Sequence, residues 1–135
     1  MARKITEIEG IGNVYAEKLQ EIGITTVEEL LEKGYTAKGR EEIAEKTGIS
    51  KKLILEWVNK ADLMRIKGVG EEYADLLEAA GVDTVTELAR RNPKNLYEKL
   101  IEVNEQKKLV RQLPGLNQIE KWIEEAKTLP KKITY

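Results

Sequence analysis

The sequence predicts an all-α protein built from two tandem helical units packed into one compact body. Three observations carry this. Residues 8–16 return as residues 66–74, and 11 of the 26 positions in 8–33 are identical to their partners 58 residues later, among them Gly10/Gly68, Gly12/Gly70, Tyr15/Tyr73, Leu19/Leu77 and Gly23/Gly81. Hydrophobic residues make up 41% of the chain, enough for a core, and with no Phe they are mostly aliphatic. They recur at helical spacing, whereas the alternating, β-branched runs of strands are missing. A fold unit used twice is the simplest cause of such self-similarity. In a chain of 135 residues a half of about 60 would be marginally stable alone, so the halves are expected to pack together. The units are placed at residues 1–65 and 66–135, with an insertion in the second near 104–111.

The elements follow in order. Residues 13–22 read as a helix with Asn13 as N-cap, an apolar stripe of Tyr15, Leu19 and Ile22, and Gly23 as a left-handed stop. Thr26 and Glu29 form a capping box for the next helix, which Gly34 ends. A third helix spans about 38–47 and stops at Gly48, and Ser50 then caps a longer one carrying Leu53, Ile54, Trp57, Val58 and Ala61. The second half repeats the devices with Gly81 as stop and Thr84 with Glu87 as box, and Asn92-Pro93 starts the counterpart of the third helix. After the insertion, Gly115-Leu116-Asn117 takes the place of Gly48-Ile49-Ser50 and leads into a helix with Ile119, Trp122, Ile123 and Ala126. The Trp57/Trp122 offset is 65 rather than 58, which sizes the insertion at about seven residues.

Composition removes several chemistries. There is no Cys and no His, and Ser50 is the single serine. Thiol catalysis, the usual zinc sites and a Ser-His-Asp relay are therefore excluded. Carboxylates such as Glu28, Glu29 and Glu32 fall, with interleaved lysines, at spacings that suit solvated helix faces. No nucleophile-base pair and no metal cluster emerges, so no enzyme, cofactor or metal is expected. No apolar stretch nears the ~20 residues of a membrane span, and the N-terminal residues lack a signal peptide's apolar segment. A cytoplasmic protein that does not enter membranes is the expectation. The net charge is −1, but residues 107–135 hold 7 basic and 3 acidic side chains. The C-terminal segment is the basic part.

The chemically informative residues are the Gly10-Ile11-Gly12 and Gly68-Val69-Gly70 turns, each expected between two short helices. Two glycines around one aliphatic residue let the chain reverse tightly, and the helix that follows presents unpaired N–H groups fit for a phosphate oxygen. Flanking charge separates the turns. Glu71 and Glu72 follow Gly70 and would occupy or repel an anion, whereas Asn13 and Val14 leave the first hairpin open. The Gly48 turn is electrostatically best, with Lys46 before it and Ser50, Lys51 and Lys52 after it. Tyr15 and Tyr73, and Trp57 and Trp122, are read as core residues, the tyrosines with wet hydroxyls.

These residues resemble the helix-hairpin-helix motif, in a SAM-like arrangement, whose aliphatic-x-Gly-aliphatic-Gly core matches residues 8–12 and 66–70. Each half also resembles the N-terminal domain of archaeal recombinases. Across residues 8–135, including 102–111, Trp122-Ile123 and Leu129-Pro130, the chain is similar to the family known as domain of unknown function 4332. The helix-hairpin-helix resemblance implies contact with the DNA backbone, largely independent of sequence. Carried over residue by residue, the contacts are Gly10, Gly12, Asn13 and Lys18 at the first hairpin and Gly68 and Gly70 at the second. Gly48, Ser50, Lys51 and Lys52 serve the third turn, and Gly115 with Lys107, Lys108 and Arg111 the fourth. The expected function is a non-enzymatic DNA-binding module. The alternative is a protein-interaction or scaffolding domain, which the near-zero net charge favours.

Overall fold

The computed structural model describes residues 3–135. Its elements are a 3-10 turn, Ile5–Glu7, and the helices α1 (Asn13–Glu21), α2 (Val27–Gly34), α3 (Ala37–Thr47), α4 (Lys51–Leu63), α5 (Glu71–Ala79), α6 (Val85–Ala89), α7 (Pro93–Lys107) and α8 (Leu116–Thr128). The fold is all-α: the described residues form no strand, only an isolated bridge between Lys4 and Thr26. None of these helices is long and apolar enough to cross a membrane. Two compact units emerge, one running through Asp62 and including Lys132–Tyr135, the other Leu63–Lys131. The second unit therefore ends at Lys131 rather than at residue 135.

In the first unit the helix ends explain the chain path. The Gly12 carbonyl accepts the first bond of α1, from the Ala16 amide at 2.9 Å. Because Gly12 is extended while its carbonyl takes that bond, it, and not Asn13, is the N-cap, without a side chain to cap the helix, and Asn13 is the first helical residue. At the other end the Ile24 amide reaches back to Leu19 O at 2.9 Å and the Gly23 amide to Gln20 O at 3.0 Å, with Gly23 at φ +85. This is the left-handed stop that satisfies the last carbonyls. The second unit repeats it with Val82 to Leu77 at 2.8 Å and Gly81 to Glu78 at 3.0 Å.

The Thr26–Glu29 box is complete, since Thr26 accepts from the Glu29 amide and the Glu29 carboxylate accepts from the Thr26 amide. At Thr84 only half forms: its hydroxyl accepts from the Glu87 amide at 3.3 Å. Neither hairpin sits between two short α-helices. The first follows the three-residue 3-10 turn and the second follows α4.

Gly34 is not a left-handed stop but the last helical residue of α2. Its role is contact: a Cβ there would lie 2.6 Å from Val58 Cγ2. Gly39 serves likewise, because a Cβ on it would overlap the Lys33 carbonyl, so α3 can lie directly against the end of α2. The buried Arg40 finishes this corner. Its guanidinium donates to Gly34 O at 2.8 Å and to Thr134 O at 2.7 Å, and the Thr134 amide donates to Tyr35 O at 2.8 Å. Ile133 is buried, and Lys132 pairs with Glu32 at 3.0 Å while lying over the Tyr35 ring. Burial lowers the Arg40 pKa from its ordinary value, and the charge on Tyr135 opposes that shift; the two carbonyls accept the guanidinium's protons.

The core of the first unit is Ile5, Ile8, Leu19, Ile24, Leu30, Ile54, Trp57 and Val58; that of the second is Ile66, Leu76, Leu77, Leu88, Leu96, Leu100, Ile119 and Trp122. Helix α8 is the hub of the second, packing on α6 and α7.

Two outcomes follow for stability. Gly34→Ala overpacks the Val58 contact and should lower the unfolding free energy by about 1–3 kcal/mol in urea titration. Hydrogen bonds from the Thr25 hydroxyl and amide, and then from Thr26, hold the Glu29 carboxyl below its ordinary value of 4.5. A depressed carboxyl contributes stability above its unfolded value and loses it as pH falls through the folded one. Stability measured below pH 4.5 should therefore fall less steeply in Glu29→Gln than in the wild type.

Candidate nucleic-acid interface

Each hairpin is set by a tryptophan. Gly10 has φ +94, and a Cβ on it would meet Trp57 Nε1 at 3.4 Å; Gly68 has φ +90 and would meet Trp122 Nε1 at 3.3 Å. The positive φ is what calls for glycine at both positions; the indole lies at ordinary van der Waals distance from a Cβ at Gly10 and slightly closer at Gly68. Between the glycines, Ile11 and Val69 are buried, while Gly12 and Gly70 face open space. Tyr15 meets Trp57 edge-on at 5.1 Å, and Tyr73 meets Trp122 at 5.3 Å. The tyrosines and tryptophans are thus bound into the packing rather than presented for base stacking.

The backbones match but the surroundings do not. At the first hairpin no side chain caps α1, the first turn holds no acid, and Val14 is 67% exposed. The ammonium of Lys60, from α4, lies 3.4 Å from Glu9 O. At the second hairpin Glu71 and Glu72 fill the first turn of α5, and Glu125, from α8, accepts from the Lys67 amide at 3.1 Å. Lys60 and Glu125 occupy equivalent positions, three residues after Trp57 and Trp122. One hairpin therefore has a cation from the last helix where the other has a carboxylate. Carrying the Trp57/Trp122 offset three residues further would have revealed this in the sequence.

The Gly48 turn gathers its predicted residues. Gly48 is left-handed at φ +74 and its amide bonds Ala44 O at 2.8 Å; Ile49 is buried beneath it. Ser50 Oγ accepts from the Leu53 amide at 3.2 Å, leaving the hydroxyl proton and the Lys51 and Lys52 amides at the helix end. Lys46, Lys51 and Lys52 are exposed and form no ion pair among the described residues.

The Gly115 turn is different in kind. Gly115 has φ −74 and is itself the N-cap of α8. Trp122 is the seventh residue of α8 as Trp57 is of α4, so Gly115 stands where Ser50 does and Leu113 stands where Gly48 does. The buried Pro114 matches the buried Ile49. Lys107 ends α7, Lys108 is left-handed at φ +50, and Arg111 is exposed in the loop beyond. The first two offset the negative end of the α7 dipole. Asn104 holds this loop by bonding both the amide and the carbonyl of Val110, at 3.0 and 3.1 Å. Lys18 lies in the last turn of α1, toward the end opposite the hairpin amides.

A family model described as a domain of unknown function (DUF4332) matches residues 9–129. No curated protein and no solved structure matches the chain.

The Tyr73 hydroxyl is not merely hydrated: it donates to Gln112 O at 3.1 Å and pins the loop after α7. Tyr73→Phe should cost about 1 kcal/mol and speed tryptic cleavage at Lys108 and Arg111, read by mass spectrometry of timed digests.

Proposed function

We propose, for a chain that belongs to the DUF4332 family, a function drawn from its turns: it is a non-enzymatic module that grips the DNA backbone with little regard to sequence. The observation that carries this is the start of α4. Its first turn has no acid and two lysines, Lys51 and Lys52. A cation at the positive end of a helix dipole costs about 0.3–1 kcal/mol at low ionic strength. The stabilising rule is met by Glu28 and Glu29 opening α2 and by Glu71 and Glu72 opening α5, whereas α3 and α7 each open with one lysine and no acid and α4 alone with two lysines. Lysines that oppose the fold's own electrostatics beside an exposed left-handed glycine make an anion seat. A phosphate would take the free first-turn amides, the Ser50 hydroxyl proton and the two ammonium groups, with Lys46 beside them.

The first hairpin, with Gly10, Gly12 and Asn13, is the second contact in this reading, and its resemblance to the helix-hairpin-helix motif supports it. Lys60 supplies its cation. The second hairpin is structural, because its carboxylates repel a phosphate. A scaffolding role is the competing reading, favoured by the net charge of −1 and the exposed Val14.

Fluorescence anisotropy with duplex DNA at low salt tests the proposal. Binding is expected in the range of about 10⁻⁴–10⁻⁶ M, weakening with salt by roughly 0.9 log unit per log unit for each phosphate neutralised. Lys51→Glu with Lys52→Glu should abolish it while raising the melting temperature, since the charges now suit the helix dipole. No binding below about 100 μM, or binding untouched by this pair, sinks the DNA reading. A stable complex with a protein and none with DNA would establish the scaffold.

A further inference from the structure

The first unit carries a concentration of positive charge that neither hairpin uses. A cavity of about 470 Å³ is lined by Lys33, Lys38 and Lys46, with Glu42 as its one acid and Ile22 and Ile43 as apolar wall. Glycine at position 39 creates the arrangement. Because α3 lies against the Lys33 carbonyl there, the end of α2 and one face of α3 border the same space. The Lys33 ammonium is held by Ile22 O at 3.3 Å and keeps two further protons to donate. Lys38 and Lys46 form no ion pair among the described residues, and neither does Glu42.

Dipole compensation accounts for Lys33 and Lys46, which stand in the last turns of α2 and α3. It does not account for Lys38. That residue lies in the first turn of α3, which holds no acid, so its charge opposes the helix dipole as those of Lys51 and Lys52 do. Eight residues at 1.5 Å each separate Lys38 from Lys46 by about 12 Å along the helix. Cations at both ends of one wall, with the Glu42 carboxylate midway between them, suit a ligand whose negative charges are separated along its length, not a single carboxylate.

We propose that this cavity is an oligophosphate-binding site, taking either consecutive phosphates of a nucleic-acid strand or a free oligophosphate. The strand source rests on the DNA reading above; the free source does not. Lys46 lines this cavity and also stands two residues before Gly48, so it belongs to both the cavity and the turn that carries Lys51 and Lys52. The Thr36 hydroxyl accepts from the Gly39 amide at 2.9 Å and keeps its proton for a phosphate oxygen.

The test uses the full chain and Lys38→Glu, a change that suits the first turn of α3 and should not lower the melting temperature. Inorganic tripolyphosphate and duplex DNA are titrated separately, by calorimetry and anisotropy. A loss of at least about tenfold in affinity for either ligand supports the site. If DNA affinity falls and its salt slope drops by about 1, the source is a strand. If only tripolyphosphate affinity falls, the source is a free oligophosphate. Unchanged affinity for both, or binding of neither by the wild type, overturns the site. The DNA reading is judged on wild-type binding to duplex and on Lys51 and Lys52, so the two can fail independently.

Discussion

The contact of an indole with a hairpin glycine organises each unit. Trp57 against Gly10 and Trp122 against Gly68 tie the turn that opens a unit to its last helix, with about fifty residues between them in each case. Both indoles are almost wholly buried, and each carries a tyrosine from the helix after the hairpin. Aromatic burial of this size contributes several kcal/mol, and the ring geometry adds direction to it. Positive φ calls for glycine on one side, and on the other the tryptophan fills the space against it. Both residues recur in the two halves of the repeat.

Much of this was legible because glycine, threonine and proline act locally. The left-handed stops at Gly23, Gly48 and Gly81, the Thr26 box and the Asn92-Pro93 start depend on neighbours a few residues away, and the sequence shows those neighbours. What it hid depends on distant partners. Gly34 and Gly39 look like helix breakers until Val58 and the Lys33 carbonyl stand against them. Gly115 looks like a second Gly48, but the indole register makes it a second Ser50. Asn13 is a good cap by type and yet sits inside the helix, because the hairpin assigns the capping position to Gly12.

The candidate site was half legible for the same reason. Lys46, Lys51 and Lys52 lie within seven residues of sequence and stand at the end of α3 and the start of α4, on either side of one turn. Lys60 and Glu125 act on residues 51 and 58 positions away, through the packing of the last helix on the hairpin. Their opposite charges make the two hairpins electrostatic opposites on nearly one backbone. Duplication therefore preserved the path of the chain and released the charge around it to change.

The corner at Arg40 bears on the order in which the chain is made. Its second carbonyl partner, on Thr134, is 94 residues further along. At about 5–20 residues per second of synthesis, the first unit waits several seconds, through the synthesis of the whole second unit, before Ile133 and Thr134 exist. During that interval the exposed end of the Arg40 guanidinium can be satisfied only by water. The half that emerges first from the ribosome is thus the half completed last, and its final consolidation is deferred until its neighbour has been translated.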